Sequence, residues 1–548
     1  MNRKNLTAAV LAGLAGVAGI AGTAQAVNMN PDGLGQVLIY PYYTANDGNS
    51  TMLSVVNTTE QAKAIKVRFL EGFNSREVLD FNLYMSPFDV WVASIEAGGT
   101  DPEGNSVPKL VIPDTSCTVP YLYLNENHEQ PFLEYAYSGN FGDAGPGEGM
   151  GRAFEGHFEM IEMGTLTGVA ADAVDHGTVG VPADCLMLTD MWTDWAGTSD
   201  KGVWYDEAAM KTDCTPYDPS GGDPVFKGCQ ADSYTQRASG GLFGAASIIN
   251  VEDGTMFSYD AQALQGFDDT DDGIHFIPGT IFPSLNSGSV KTSWVFFGVP
   301  QNQAVDLTYT NTVDAVSSVF MHENVMNEFY TEAAYGAKTD WIVTFPTKNF
   351  YVDWWRMCET GLADCTPVDD GDGNMVPATP VARAPFSNVY GATQCEVVSL
   401  KTWDREEQTA MPVDPENPVR PPVVSPSYPA CDPVDDPRCR PDEAPFQLCN
   451  EVNVLSFGAE TVFGTPEIEE GVYGSLKLEV EDDFTSGWGR LTLNGTDENG
   501  LKGLPVTGFA AQSVVNDSVS GSGVKANYGG LFRHKANVRA AAVITPTP

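Results

Sequence analysis

No two cysteines of this 548-residue chain stand three apart, basic residues are scarce, and there are only six histidines. Without a C-x-x-C, thioredoxin-like redox chemistry, c-type haem attachment and the zinc ribbon lose their central element. The shortage of cations excludes more: 29 Lys and Arg stand against 73 Asp and Glu, a formal net charge of −44. A surface of that sign repels phosphate backbones and anionic lipid alike, so no nucleic-acid partner is expected. Also missing are the Gly-x-Ser-x-Gly of a nucleophile elbow, the glycine loop of a phosphate cradle, and the short repeat period of a solenoid or propeller. Beyond the N-terminus no run is long and apolar enough to cross a bilayer as a helix, so no transmembrane segment is expected in the mature chain.

What is present begins with Met1-Asn2-Arg3-Lys4, an apolar small-residue stretch from Ala8 to Gly22, and Ala24-Gln25-Ala26. This order of charge, short apolar run and small-residue cleavage site predicts a secretory signal peptide over 1–26 and an extracellular or cell-surface destination. The ten cysteines are an even count, which in an exported chain predicts disulfides. Nearest-neighbour spacing suggests Cys214 with Cys229, Cys358 with Cys365 and Cys431 with Cys439, then Cys117 with Cys185 and Cys395 with Cys449, although spacing alone does not determine connectivity. The last pairing meets an objection. If the strands flanking the segment between them form a hairpin, Cys395 is expected far from its tip and Cys449 near it, beyond bonding reach.

Short alternating runs of β-branched and aromatic residues, punctuated by Gly, Asn, Asp and Pro, dominate the chain. "AIKVRFL" sets Ile65, Val67 and Phe69 on one face and Lys66 and Arg68 on the other. "VLDFNLYM" does the same with Leu79, Phe81, Leu83 and Met85 against Asp80, Asn82 and Tyr84. With "EGFNSRE" as the turn, these make a strand-turn-strand unit with Arg68 and Arg76 on its solvent side. "IINVEDGTMFSYD" carries Asp253-Gly254 between two more runs, a strong hairpin signal. One helix is expected over "TVDAVSSVFMHENVMNEFY", where Val313, Val316 and Phe320 recur at helical spacing and Thr312 caps the start.

The fold class is therefore mainly β: antiparallel immunoglobulin-like sandwich domains with an accessory helix and long loop insertions. An N-terminal domain is placed at 27–236 and a C-terminal one at 237–548. Insertions are read at 190–236, at 359–385 and at 411–445, the last with eleven prolines that rule out a sheet interior.

"NTTEQAKAIKVRFLEGFNSREVLDFNLYMSPFDVW", from Asn57 to Trp91, resembles a group of uncharacterised secreted cell-surface proteins of Gram-negative bacteria. "GLFGAASIINVEDGTMFSYDA", "TDWIVTFPTKNFYVD", "WDREE" and "GLPVTGFAAQ" are similar to them too. The resemblance implies an exported envelope or extracellular protein and brings no catalytic residue with it.

Several constellations invite chemistry. His322 to Met326, "HENVM", has the first histidine and the glutamate of a helical zinc-protease motif, but methionine replaces the second ligand, and His322 is read as a partly exposed helix residue. "FDDTDDG" offers Asp268, Asp269, Asp271 and Asp272 as oxygen donors for calcium, although Gly279 stands where a closing glutamate belongs. "VDDGDGN" offers Asp369, Asp370, Asp372 and Asn374 on the same logic. Glu155, Glu159 and Glu162 near His157 contain the two carboxyl groups a glycosidase needs, yet read better as a polar solvent face. Aromatic clusters at Tyr40 to Tyr43, Asp190 to Trp195 and Asp353 to Arg356 suit a core, a protein interface or a sugar platform.

The leading expectation is an exported, non-enzymatic structural or adhesive surface protein whose partner is itself or another surface protein, with calcium bridging its acidic loops. The alternative is a secreted carbohydrate-binding or glycoside-hydrolysing protein, for which a groove lined by Trp192, Trp195 or Trp354 would speak.

Overall fold

The computed structural model describes residues 26–540, apart from 101–103, 105, 139–148, 194–215, 218–224, 227–233, 299–300, 370–374, 377, 390–394, 406–444, 458–459, 467–475, 479–484 and 517–525. Ten strands open the chain: β1 (Asn28–Met29), β2 (Val37–Thr44), β3 (Asn49–Asn57), β4 (Lys63–Glu71), β5 (Glu77–Met85), β6 (Val90–Thr100), β7 (Ser106–Val111), β8 (Cys117–Val119), β9 (Glu129–Pro131) and β10 (Glu155–Leu166). Three more, β11 (Leu242–Asn250), β12 (Thr255–Asp260) and β13 (Gln262–Gln265), return to the same body. Sheet A has the order β1-β13-β2-β10-β4-β5-β8, and sheet B the order β12-β11-β3-β6-β7-β9. All pairings within both are antiparallel. The border drawn at 236 cuts through this body. Strands β11 to β13 complete both sheets, and Leu242, Ala246 and Ile248 of β11 share the core-facing side with Leu53 and Val55 of its neighbour β3.

The hairpin expected at 63–85 forms, with Val67 opposite Phe81 and Phe69 opposite Leu79. Its turn is organised by one side chain. Glu71 accepts from the backbone N–H groups of Phe73, Asn74 and Arg76, and takes both ends of the Arg152 guanidinium. Ile65, Val67, Phe69, Phe81 and Leu83 pack with Phe158 and Met160 of β10 against Leu53, Val55, Trp91 and Ile248 of sheet B. The opposite face was expected to meet solvent, and it does not. Lys66, Arg68, Arg76, His157, Glu159 and Glu162 are all buried, because helices α4 (Asn349–Val352) and α5 (Trp354–Glu359) and the 276–279 segment lie against neighbouring polar groups. Strict alternation reports two unlike faces, and a second layer over the polar face leaves no trace in it.

Two further five-stranded sheets are built from β14 (Asn324–Tyr330), β15 (Ala337–Thr344), β16 (Glu396–Asp404), β17 (Pro445–Leu448), β18 (Val452–Phe457), β19 (Leu476–Leu478), β20 (Ser486–Leu493), β21 (Thr507–Val514), β22 (Tyr528–Arg533) and β23 (Lys535–Asn537). Sheet C is β19-β18-β15-β21-β22 and sheet D is β17-β16-β20-β14-β23. Sheet C is covered on both sides. Trp341, Val343 and Leu455 face Phe329 and Leu491 of sheet D, whereas Ile342, Val454 and Phe509 join the core of the first body. That double burial is why "DWIVTF" reads as a continuous apolar run rather than an alternating one. The result is a mainly antiparallel, sandwich-like β fold with few helices.

The expected long helix is cut short. Helix α3 spans Thr312–Ser318, with Asn311 rather than Thr312 at its N-cap position, and strand follows at Met321–His322 and Asn324–Tyr330. His322 pairs with Leu504 in a two-residue ladder, so it is not a helix residue, and β14 takes up the second half of the apparent periodicity. Short apolar spacing fits either element, and pairing with β20 decided it.

Three disulfides join Cys117 to Cys185, Cys358 to Cys365 and Cys395 to Cys449. The objection to the third dissolves in the register. Glu396 lies opposite Leu448, so Cys395 precedes one strand and Cys449 follows the other, both at the base of the hairpin. Cys214, Cys229, Cys431 and Cys439 lie outside the described residues, as does the proline-rich segment up to Ala444.

Candidate interaction surfaces

The first acidic loop follows β13. Asp268 points inward, accepting from Thr270 Oγ1 and the Ser289 backbone N–H, while Asp269 accepts from the Ser289 hydroxyl. Asp271 turns outward to Arg237 at 2.6 Å, and with Asp272 it borders an open cleft of about 420 Å³ lined also by Gln61, Thr165 and Ser239. The loop's carboxylates are thus spread over an inward cap, a surface hydrogen bond and a surface ion pair. Among the described residues no group of three or more His, Cys, Asp or Glu side chains is placed to hold a metal ion. In the second acidic loop Asp369 ends a two-residue strand, and Asp370, Asp372 and Asn374 lie outside the described residues.

The carboxylates once read as a solvent face or a glycosidase pair sit in a buried ionic layer. Arg68 donates to Glu77 at 2.7 Å and to Glu159 at 2.5 Å, Lys66 pairs with Asp80, and Lys63 pairs with Glu162 at 2.7 Å. Glu155 accepts from Tyr42 and Thr465. Burial pushes the carboxyl groups of Glu159 and Glu162 up, against the pull of Arg68 and Lys63. Asp80 is pushed up to about 6 by the same desolvation, which outweighs Lys66. His157 goes the other way, down to about 3, from burial first and the nearby Arg68 charge second. No carboxyl pair here faces an accessible groove, so the arrangement is that of a structural layer.

The aromatic clusters divide likewise. Tyr40, Tyr42 and Tyr43 are core residues. Trp192 is also buried and donates from Nε1 to the Tyr84 hydroxyl, which bonds in turn to His275. Trp354 is half-buried, and Trp195 lies outside the described residues. The groove expected of Trp192 and Trp354 is therefore not formed by the described residues, because Trp192 is taken up by its own satellite core. His322 lies in a two-residue strand, opposite Leu504, with its ring pushed down to about 4 by burial, so it is not presented from a helix as the zinc-protease motif requires.

Two candidate surfaces among the described residues lie on sheet faces. The outward face of sheet B carries Met52 and Val56 from β3, Val90 and Val92 from β6, and Phe243 and Ile249 from β11, with alanine and serine between them. Met52, Val90, Val92 and Phe243 are exposed by 39–51%. The outward positions of β3, of β11 and of β6 from Val90 to Ser94 include no charge. The second surface is the outward face of sheet D, where Trp403 and Trp488 stack with centroids 4.2 Å apart. Neither was visible in the sequence as a site. The first looked like ordinary alternation, and the second joins residues from strands far apart in the chain.

No family model matches the chain, and neither a curated protein nor a solved structure is detectably similar to it.

Proposed function

We propose that this chain is an exported, non-enzymatic structural or adhesive protein of the cell surface, built of immunoglobulin-like sandwiches that associate with further copies through sheet B. The observation that carries the reading is the uncharged outward patch of that sheet, over β3, β11 and β6 from Val90 to Ser94. A chain of net charge −44 repels its own copies over most approaches. An uncharged sheet face is where two copies meet without bringing carboxylates together. The patch is three strands wide and up to about eight residues long, a footprint of roughly 350 Å² at ordinary strand spacing. That is under half of the roughly 800 Å² per partner of a standard interface, so the patch is the centre of a wider contact. The three disulfides and the N-terminal leader pattern support an oxidising, extracytoplasmic setting. Calcium enters this reading as a bridge between exposed acidic loops of neighbouring copies.

The test is sedimentation of the mature chain beside a Met52→Lys, Val92→Glu double variant, each with calcium and with a chelator. Association of the parent that the double variant loses supports the reading. A parent that stays monomeric at high concentration sinks it. Association unaffected by chelation removes calcium and leaves the face contact standing. Glycoside hydrolysis gains nothing from the buried carboxyl groups of β10, whereas glycan binding has the Trp403–Trp488 stack in its favour.

A further inference from the structure

On the hairpin of β4 and β5, Lys66 lies opposite Asn82 and Arg68 opposite Asp80, which makes Lys66 and Asp80 diagonal neighbours on one face of sheet A. That diagonal is within reach of a long side chain, and Lys66 Nζ meets Asp80 Oδ2. The two side chains are 0% and 5% exposed, so the contact is made out of water. Oδ2 accepts one further hydrogen bond, from the Gly279 backbone N–H at 2.8 Å.

The neighbouring pair of Lys63 and Glu162 is what a well-supported buried ion pair requires. Lys63 donates also to the Ser239 hydroxyl, and Glu162 accepts from the backbone N–H groups of Ser239 and Gly240. Lys66 and Asp80 have less. Arg68, although opposite Asp80, donates to Glu77 and Glu159 instead. An ammonium has three donors, and among the described residues Asp80 is the acceptor that Lys66 reaches. Burial pushes the Asp80 carboxyl up to about 6 against the pull of Lys66, which brings the uncharged acid and amine close in free energy to the ion pair.

We infer that Lys66 and Asp80 condense to an amide, an internal covalent cross-link between β4 and β5. A proton passes from the Lys66 ammonium to the carboxylate, leaving amine and carboxylic acid. The Nζ lone pair then forms the bond to Cγ. One carboxyl oxygen departs as water, carrying that proton and a second from the nitrogen, and the other becomes the amide carbonyl, with the Gly279 N–H as its donor. Ammonium and carboxylate thus become one amide and one water, with no oxidant, metal or co-substrate. In bulk water hydration of both charges favours the ion pair. Here both charges have left water, the fold holds the reacting groups in contact, and an uncharged amide needs no counter-charge. The inference rests neither on association through sheet B nor on export.

The experiment is mass spectrometry of the full mature chain, purified folded, then reduced and measured both intact and after tryptic digestion. The intact chain should be lighter than its sequence by one water. Trypsin does not cut after a lysine whose amine is in an amide, so fragment 64–68 should appear joined to fragment 77–109. Asp80→Ala and Lys66→Met should each show the full mass of their own sequence. If either variant fails to fold, the joined fragments of the parent still decide the matter. A parent at full sequence mass overturns the inference. So does a water loss with 64–66 released as a separate linear fragment, as dehydration of an aspartate onto its own backbone gives. Fragments joined through Lys63 and Glu162 overturn it as well, because the chemistry would then belong to the better-supported pair.

Discussion

Arg68 Nε lies 2.7 Å from Glu77 Oε2 on a sheet face closed off from solvent, and the same guanidinium reaches Glu159 on the neighbouring strand. One cation thus serves two buried carboxylates, with Lys66 and Asp80 completing the layer. Charges brought out of water tolerate the loss of a partner poorly, because the group left behind has neither solvent nor counter-charge.

Replacing Arg68 by Met is therefore expected to destabilise the fold by about 3–5 kcal/mol, from the two carboxylates it strands rather than from lost packing. Adding Glu77→Gln and Glu159→Gln to the same chain should recover at least half of that loss. Urea midpoints of the three chains decide the matter. A triple variant no more stable than Arg68→Met alone would sink the explanation.

His157 makes a pH-dependent contribution in the same layer. Its ring is held down to about 3 by burial and by Arg68, against an ordinary value near 6.5. Between those two values the unfolded chain binds a proton that the folded chain refuses, so stability falls as pH drops through that window. His157→Met removes this term, and the variant should lose roughly 2–3 kcal/mol less than the parent between pH 6.5 and pH 4. Denaturation midpoints at the two pH values measure it. Parallel losses in the two chains would show that His157 takes up its proton without opening the layer.

The same residues show how much of the molecule was legible beforehand. The alternation of Val67 and Phe69 with Lys66 and Arg68 placed the hairpin and its core face, because a period of two is a local property of the chain. It could not show that helix α5 and the 276–279 segment cover the polar face, since burial of that face is fixed by elements far away in sequence. The Cys395–Cys449 bond was visible as a pair and obscured by a misplaced hairpin base. Trp403 and Trp488 were invisible as a unit, because only the register between β16 and β20 brings them together.

Asp340 titrates in the opposite sense to His157. Burial in sheet C pushes its carboxyl up to about 7, although Oδ2 accepts from the Val462 backbone N–H at 2.7 Å. Here the folded chain holds a proton that the unfolded chain has released above about pH 4. Stability from this group is full below that value and is lost as pH rises toward 7. Asp340→Asn keeps a carbonyl oxygen for Val462 and cannot ionise. Its stability relative to the parent should therefore rise between pH 5 and pH 8, by on the order of 1 kcal/mol or more. A difference that stays constant across that range would mean that Asp340 ionises at its ordinary value.

The Cys117–Cys185 disulfide ties the start of β8 to helix α2 (Cys185–Thr193), where Leu188, Met191 and Trp192 pack with Ala170 and Val174 in a cluster of their own. A sequence separation of 68 corresponds to about 4 kcal/mol of loop entropy in the chain-entropy model. Where that loss appears depends on how the satellite couples to the sheets. Tyr84 links the two, bonding Trp192 and His275 from the edge of β5, but the apolar contacts of β4 and β10 lie mainly in the sandwich core. Hydrogen exchange on a Cys117→Ser, Cys185→Ser chain should therefore show α2 and β8 opening well before β4 and β10, which keep their protection. Equal loss of protection in all four would make the satellite part of one cooperative unit, and would place the disulfide's contribution in global stability rather than in local anchoring.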